Sequence, residues 1–135
     1  MTFTDLTQEI LKTRSACPLA CSLDVYGDKW SLLVIRDIIF GKHKFGEFLR
    51  SSEGIPTNIL TNRLKKLASL GLVERKPYQS RPARYSYHLT ETGEALRPVI
   101  LAMAGWARDN LIEKDYPTVP LVSLKAHERL IQALA

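Results

Sequence analysis

The chain has 135 residues, 45% of them hydrophobic and 24% charged, which suits one globular domain with short extensions. No apolar run reaches the ~18 residues of a membrane span, because Arg36 and Asp37 interrupt the longest one. The opening MTFTDLTQEILKTR carries acids early and no basic-then-apolar pattern, so a cytoplasmic location without export or membrane anchoring is expected. Two cysteines, Cys17 and Cys21, are too few for a disulfide scaffold and suit a reducing compartment.

The net charge of +5 is unevenly placed. Residues 41 to 84 hold ten Lys or Arg against three Asp or Glu, while each flank is slightly acidic. A basic middle of this kind is an electrostatic footprint for a polyanion; a solvated basic face is the alternative.

In chain order, Leu6, Ile10 and Leu11 predict a short amphipathic helix over residues 4 to 14. Pro18 suits the first turn of a second helix, with Cys17 as N-cap and Gly27 as its stop. Asp28 is placed to cap a third helix to Phe40, with Trp30, Leu33, Val34, Ile38 and Ile39 inward and Gly41 ending it. Phe45 to Arg50 reads as a short helix closed by the turn Ser51 to Gly54. Pro56 opens the next helix, which runs to Leu70 with Gly71 after it. Leu60, Leu64 and Leu67 share one arc of this helix, whereas Asn58, Thr61, Asn62, Lys65 and Ser69 share the other.

After Gly71 the period changes. Leu72 to Lys76 predicts one strand and Arg84 to Leu89 a second, joined by a loop over 77 to 83, with His88 on the solvent side. Thr90 is expected to cap one long helix to about Asp115, kinked at Pro98. A linker follows at Pro117 to Pro120, then a short helix with Leu124, Leu130, Ile131 and Leu134. The expected fold is mainly α with a small antiparallel β-hairpin: a winged helix-turn-helix flanked by N- and C-terminal dimerisation helices. Residues 1–16 form a helical arm, 17–115 the winged domain with its dimerisation helix, and 116–135 a linker and tail.

In that architecture the second helix of the pair enters the major groove with its N-terminal half toward the bases. Thr57, Asn58, Thr61, Asn62 and Lys65 are the residues expected there. Asn58 matches the edge of adenine, although an Asn at a helix start also satisfies its own backbone. Arg81 and Arg84 on the hairpin suit phosphates or a narrow minor groove, and Lys42 and Lys44 the sugar-phosphate backbone. His43, His88 and His127 are scattered, so neither a zinc site nor a triad is expected, and no cofactor or enzymatic activity either.

Several runs also resemble a known family. They are Cys17-Pro18, Gly27-Asp28-Lys29-Trp30, Phe45-Gly46-Glu47-Phe48, Ile59 to Leu67, Gly71 to Arg75, Tyr85 to Thr90 and Gly93. Together they resemble the HxlR family of bacterial regulators, over roughly residues 17 to 111. The resemblance implies a dimeric winged-helix regulator whose N- and C-terminal helices build the dimer. It also implies a response to quinones, aldehydes or hypochlorite through a cysteine matching Cys17. Cys21 departs from the family pattern, and the segment after Pro117 extends past the family core.

Because one winged domain covers one half-site, a homodimer on a pseudo-palindromic duplex operator is expected. Leu6 and Ile10, with Val99, Met103, Trp106 and Leu111, are the interface residues; for Trp106 the alternative is the monomer core. A cysteine at a helix N-terminus favours thiolate, which makes Cys17 a candidate switch for a small electrophile or oxidant; the alternative is an inert buried thiol. The expected function is sequence-specific double-stranded DNA binding in transcriptional regulation, with repression the expected sense. Two other readings are a winged helix used only for protein contact, which needs no basic wing, and a thiol enzyme, which lacks a general base.

Overall fold

The computed structural model describes residues 14–111 and 124–134. The expected arm helix with Leu6 and Ile10, the end of the long helix after Leu111 and the Pro117–Pro120 linker lie outside the described residues. The chain divides into two units, Met1–Glu94 and Ala95–Ala135.

The first unit carries helices α1 (Pro18–Tyr26), α2 (Ser31–Ile39), α3 (Phe45–Leu49) and α4 (Thr57–Ser69), strands β1 (Val73–Ser80) and β2 (Ala83–Leu89), and the single turn α5 (Glu91–Glu94). Cys17 is the N-cap of α1, with Pro18 at the first helical position, where its missing N–H costs nothing. Asp28 starts α2 with its carboxylate: Oδ2 accepts from the N–H groups of Trp30 and Ser31 at 3.0 Å each, and Oδ1 from the Ser31 hydroxyl. Gly41 (φ +94°) and Gly71 (φ +74°) follow α2 and α4 in the left-handed region that L side chains avoid, so the chain turns there sharply.

The core of this unit is built from Val34, Ile35 and Ile38 of α2, Phe48 of α3, Ile55 in the turn before α4, Leu60, Leu64 and Leu67 of α4, then Leu70, Leu72 and Val73. Ile35 is fully buried, whereas Trp30, Leu33 and Ile39, expected inward, are only half-buried. The short helix α2 turns its 34/35/38 stripe to the core, and this rotates the expected arc by one residue.

β1 and β2 form a two-stranded antiparallel sheet from Val73↔Leu89 to Ser80↔Ala83. The strands are longer than expected: Pro77 and Gln79 lie within β1, and only Arg81 and Pro82, joined by a cis peptide bond, remain as loop. A ribbon of two strands has only edges, so Pro77 forfeits no ladder bond of a central strand, and the register shift between Pro77 and Gln79 absorbs the irregularity. The start of α3 joins this ribbon through a bridge between Lys44 and Ser86, with the Tyr87 N–H donating to the His43 carbonyl at 2.8 Å.

The expected long helix after Thr90 is two helices. Thr90 Oγ1 accepts from the Gly93 N–H at 3.2 Å and so caps α5 alone. The second unit then begins, with α6 (Arg97–Leu111) and α7 (Leu124–Leu134). Pro98 is the second residue of α6, so the proline sets the start of a helix where a kink within one was expected. Within this unit Arg97 Nη1 donates to the Ala133 carbonyl at 3.1 Å, tying α6 to α7.

Candidate nucleic-acid interface

Helix α4 has two faces with different chemistry. Leu60, Leu64 and Leu67 are at most 2% exposed and anchor it to the core. Two of its three cations also turn inward: Lys66 Nζ donates to the Asp24 carbonyl of α1 at 3.0 Å, and the Arg63 guanidinium stands 3.6 Å from the Asp28 carboxylate. Burial raises the Asp28 pKa, but hydrogen bonds from Ser31 and the backbone of Trp30 and Ser31, with Arg63 nearby, outweigh it, so the group is held below its ordinary value. Helix α2 begins at Ser31 with Trp30 as its N-cap, two residues later than expected, and Asp28 as an anion holds that first turn from outside the helix and orients α4.

The opposite face is exposed and carries Thr57, Asn58, Thr61, Asn62, Lys65 and Ser69. Thr61 Oγ1 donates to the Thr57 carbonyl at 3.0 Å, which leaves the threonine methyl as the group available to a base. No acidic residue lies in the first turn of α4 and no side chain caps it, so its free N–H groups and positive dipole end add to the field of Lys65.

The turn preceding α4 is clamped to α2. Arg36 makes a bidentate pair with Glu53 (2.7 and 3.0 Å) and reaches Asp37 Oδ1 at 2.9 Å. The buried Asp37 accepts from the Ser51 hydroxyl, which in turn accepts from Lys42 Nζ at 2.7 Å. Arg36 holds the Glu53 carboxyl below its ordinary pKa by hydrogen bonding, against partial burial. Lys42 is thus half-buried and engaged with the α3–α4 turn, whereas Lys44 is exposed, with Nζ 4.6 Å from the Tyr78 ring centre.

Arg81 and Arg84 stand exposed at the hairpin tip, whose turn is braced by Gln79 Nε2 donating to the carbonyls of Arg81 and Pro82 at 3.3 and 3.2 Å. Lower on the ribbon Arg75 covers the Tyr85 ring at 4.0 Å and Lys76 pairs with Glu74 at 3.1 Å. The positive charge on the wing's outer end accordingly comes from the two arginines at the tip.

His88 departs from expectation. It is half-buried and stacks on His43 with ring centres 4.5 Å apart and planes 20° apart, while His43 Nδ1 lies 2.9 Å from the Tyr87 carbonyl. Strand alternation predicts a solvent-facing ring but carries no information about the loop residue His43 that covers it. Sequence reasoning also missed Arg50, exposed at the C-cap of α3, and Tyr78, exposed on the wing. Arg50 lies inside the basic segment and was open to discovery by charge alone.

At α1, Cys17 is exposed and Cys21 partly so, and both are free thiols. No complete cap hydrogen bond reaches Cys17, yet the N–H groups of Ala20 and then Leu19 face its sulfur and lower its pKa below the ordinary thiol value. Arg14 pairs with Asp24. In the second unit Met103 and Trp106 are 55% and 62% exposed, while Val99 and Leu111 are half-buried. No helix among the described residues is long and apolar enough to cross a membrane, and no cluster of His, Cys, Asp and Glu there suits a metal ion.

Among known proteins, the chain is 38% identical over 100 residues to an uncharacterised HTH-type transcriptional regulator of Mycobacterium tuberculosis, covering 74% of this chain and 63% of that one. It is thus similar to somewhat less than two thirds of that relative's length. The crystal structure of PA1607 superposes with a TM-score of 0.67 at 38% identity, over 84% of this chain and 78% of the other. The reduced form of the redox regulator HypR superposes with a TM-score of 0.63 at 38% identity, over 69% and 92%. Residues 25–115 match the HxlR-like helix-turn-helix family, and the chain, with its winged-helix fold, belongs to that family of transcriptional regulators.

Proposed function

We propose that the protein is a homodimeric repressor that binds a pseudo-palindromic DNA duplex and is released when an electrophile or oxidant reacts at Cys17. The observation that carries the DNA-binding part is the division of α4: its apolar side and two of its cations are turned inward, and its outer side is left polar and free of acid. Thr57, Asn58, Thr61, Asn62 and Lys65 read the major groove, while Arg81 and Arg84 of the wing, with Lys44 at the start of α3, hold phosphates. Lys42 supports the turn before α4 and adds to the field.

The dimer is formed by α6, whose Met103 and Trp106 are too exposed to serve a monomer core, together with the arm bearing Leu6 and Ile10. Cys17 is linked mechanically to α4, because α1 is tied to it through Asp24 and Lys66. An adduct that tilts α1 therefore moves the reading helix. The likeness to HypR, a redox regulator, supports a thiol-based release.

The test is binding to promoter fragments retained from the source genome. Asn58→Ala or Thr61→Ala is expected to cost about 1–3 kcal/mol at one or two base pairs, whereas Arg81→Ala weakens all sequences alike. Affinity and base preference untouched by all three changes would overturn the docking. A quinone or hypochlorite is expected to release the wild type and spare Cys17→Ser; equal release of both would remove the switch.

A further inference from the structure

The cations of the basic segment differ in what holds them. Lys42, Arg63, Lys66 and Lys76 face hydroxyl, carbonyl or carboxylate oxygens, so their charge is met within the chain. Lys44 is held differently. It is the extended N-cap of α3 (φ −104°, ψ 148°) and bridges to Ser86 of β2, so its backbone lies along the edge of the wing. Among the described residues no carboxylate forms an ion pair with its ammonium. Glu47, the acid three positions on, turns Oε1 to the N–H groups of Lys44 and His43 at 3.0 and 3.3 Å. The ammonium lies instead 4.6 Å from the centre of the Tyr78 ring.

Tyr78 reaches that place through an irregularity in β1. Pro77 pairs with Tyr85 and Gln79 with Arg84, which leaves Tyr78 as the extra residue of a β-bulge. A bulge interrupts the alternation of a strand and re-aims one side chain. Here the re-aimed ring meets the residue that starts α3 and is left 46% exposed, so it does not serve the core. A ring face attracts a cation through its quadrupole and carries no net charge. A carboxylate in its place would cancel the ammonium. Lys44 is therefore fixed in direction by Tyr78 while its charge stays available to an outside anion. Ordering the flexible four-carbon stem in advance also removes part of the entropy cost of binding.

We infer that Tyr78 is a positioning residue for DNA binding, its ring orienting the Lys44 ammonium toward a phosphate where the wing meets α3. The residue acts through Lys44 and reads no base. This inference rests on the DNA-binding reading given above.

The full chain and its variants are measured on one retained promoter duplex and, free of DNA, by the proton NMR shift of the Lys44 ε-methylene. Ring current should move that signal upfield in the wild type and in Tyr78→Phe. It should return to the ordinary lysine position in Tyr78→Leu, which fills the bulge with an apolar group that has no π face. Tyr78→Leu is expected to weaken binding about 3–10-fold on every duplex, and Tyr78→Phe to bind as the wild type does. Lys44→Ala should lower the salt slope by about 0.9. In the Lys44→Ala background Tyr78→Leu should cost less than about 2-fold, because the ring then has no cation to aim. Wild-type affinity in Tyr78→Leu, an equal loss with and without Lys44, or a loss in Tyr78→Phe that matches Tyr78→Leu would overturn the inference. Each of these leaves DNA binding itself to be decided at Arg81 and Arg84, whereas salt-insensitive binding by the wild type would overturn both.

Discussion

Asp37 illustrates how a single side chain sets the position of α4. It is 5% exposed and accepts hydrogen bonds from Arg36 and the Ser51 hydroxyl, so it joins α2 to the turn that launches α4. Replacing it with alanine leaves the Ser51 hydroxyl without its acceptor and the half-buried Arg36 with Glu53 as its remaining carboxylate. Asp37→Ala is expected to cost about 2–3 kcal/mol, read as a lower midpoint in urea unfolding. Asp37→Asn, which keeps the shape and removes the charge, should cost less. A change below about 0.5 kcal/mol in the alanine variant would show that the turn is held by packing alone.

The wing and the loop before α3 form one element through the His43–His88 stack, and this gives a pH dependence of definite sign. Burial, then the proximity of His43 and Lys76, lowers the His88 pKa, with Glu74 acting weakly in the other direction. The unfolded chain therefore takes up a proton at higher pH than the folded one, so stability is full above the ordinary histidine value and falls as the pH drops through it. Thermal melts between about pH 8 and about pH 5.5 should show this decline in the wild type and a flatter profile in His88→Gln. A wild-type profile as flat as that of the variant would contradict it. The same region marks how far the sequence was legible. Helix ends written in local chemistry, such as Pro18, Gly27 and Gly71, were readable, as was the Leu60/Leu64/Leu67 stripe. Partners distant in sequence were not. Nothing local joins His43 to His88, Lys42 to Ser51 or Lys66 to Asp24, yet these pairings decide which polar residues serve the fold and which remain on the surface. Pro77 and Pro98 misled for a related reason: a proline marks an irregularity, while the neighbours decide whether it lies in an edge strand or at a helix start.

At the scale of the whole molecule, symmetry is the question. The exposed Met103 and Trp106 lie three residues apart on α6, about one helical turn, and form an apolar stripe unsuited to water. Met103→Glu is expected to shift the protein from dimer to monomer in sedimentation while leaving far-ultraviolet circular dichroism intact. DNA affinity should fall with it, because two half-sites are then no longer held by one particle. A folded, unchanged dimer would remove α6 from the interface.

The central claim is that the polar face of α4 and the wing tip together hold duplex DNA, and the salt dependence of binding addresses it most directly. For the wild type, the logarithm of the binding constant on a retained promoter duplex should fall linearly with the logarithm of salt concentration. Replacing Arg81 and Arg84 by alanine should lower that slope by about 0.9 for each phosphate left without its arginine, with little change in base preference. Binding that is insensitive to salt, or a slope identical in the double variant, would contradict the account.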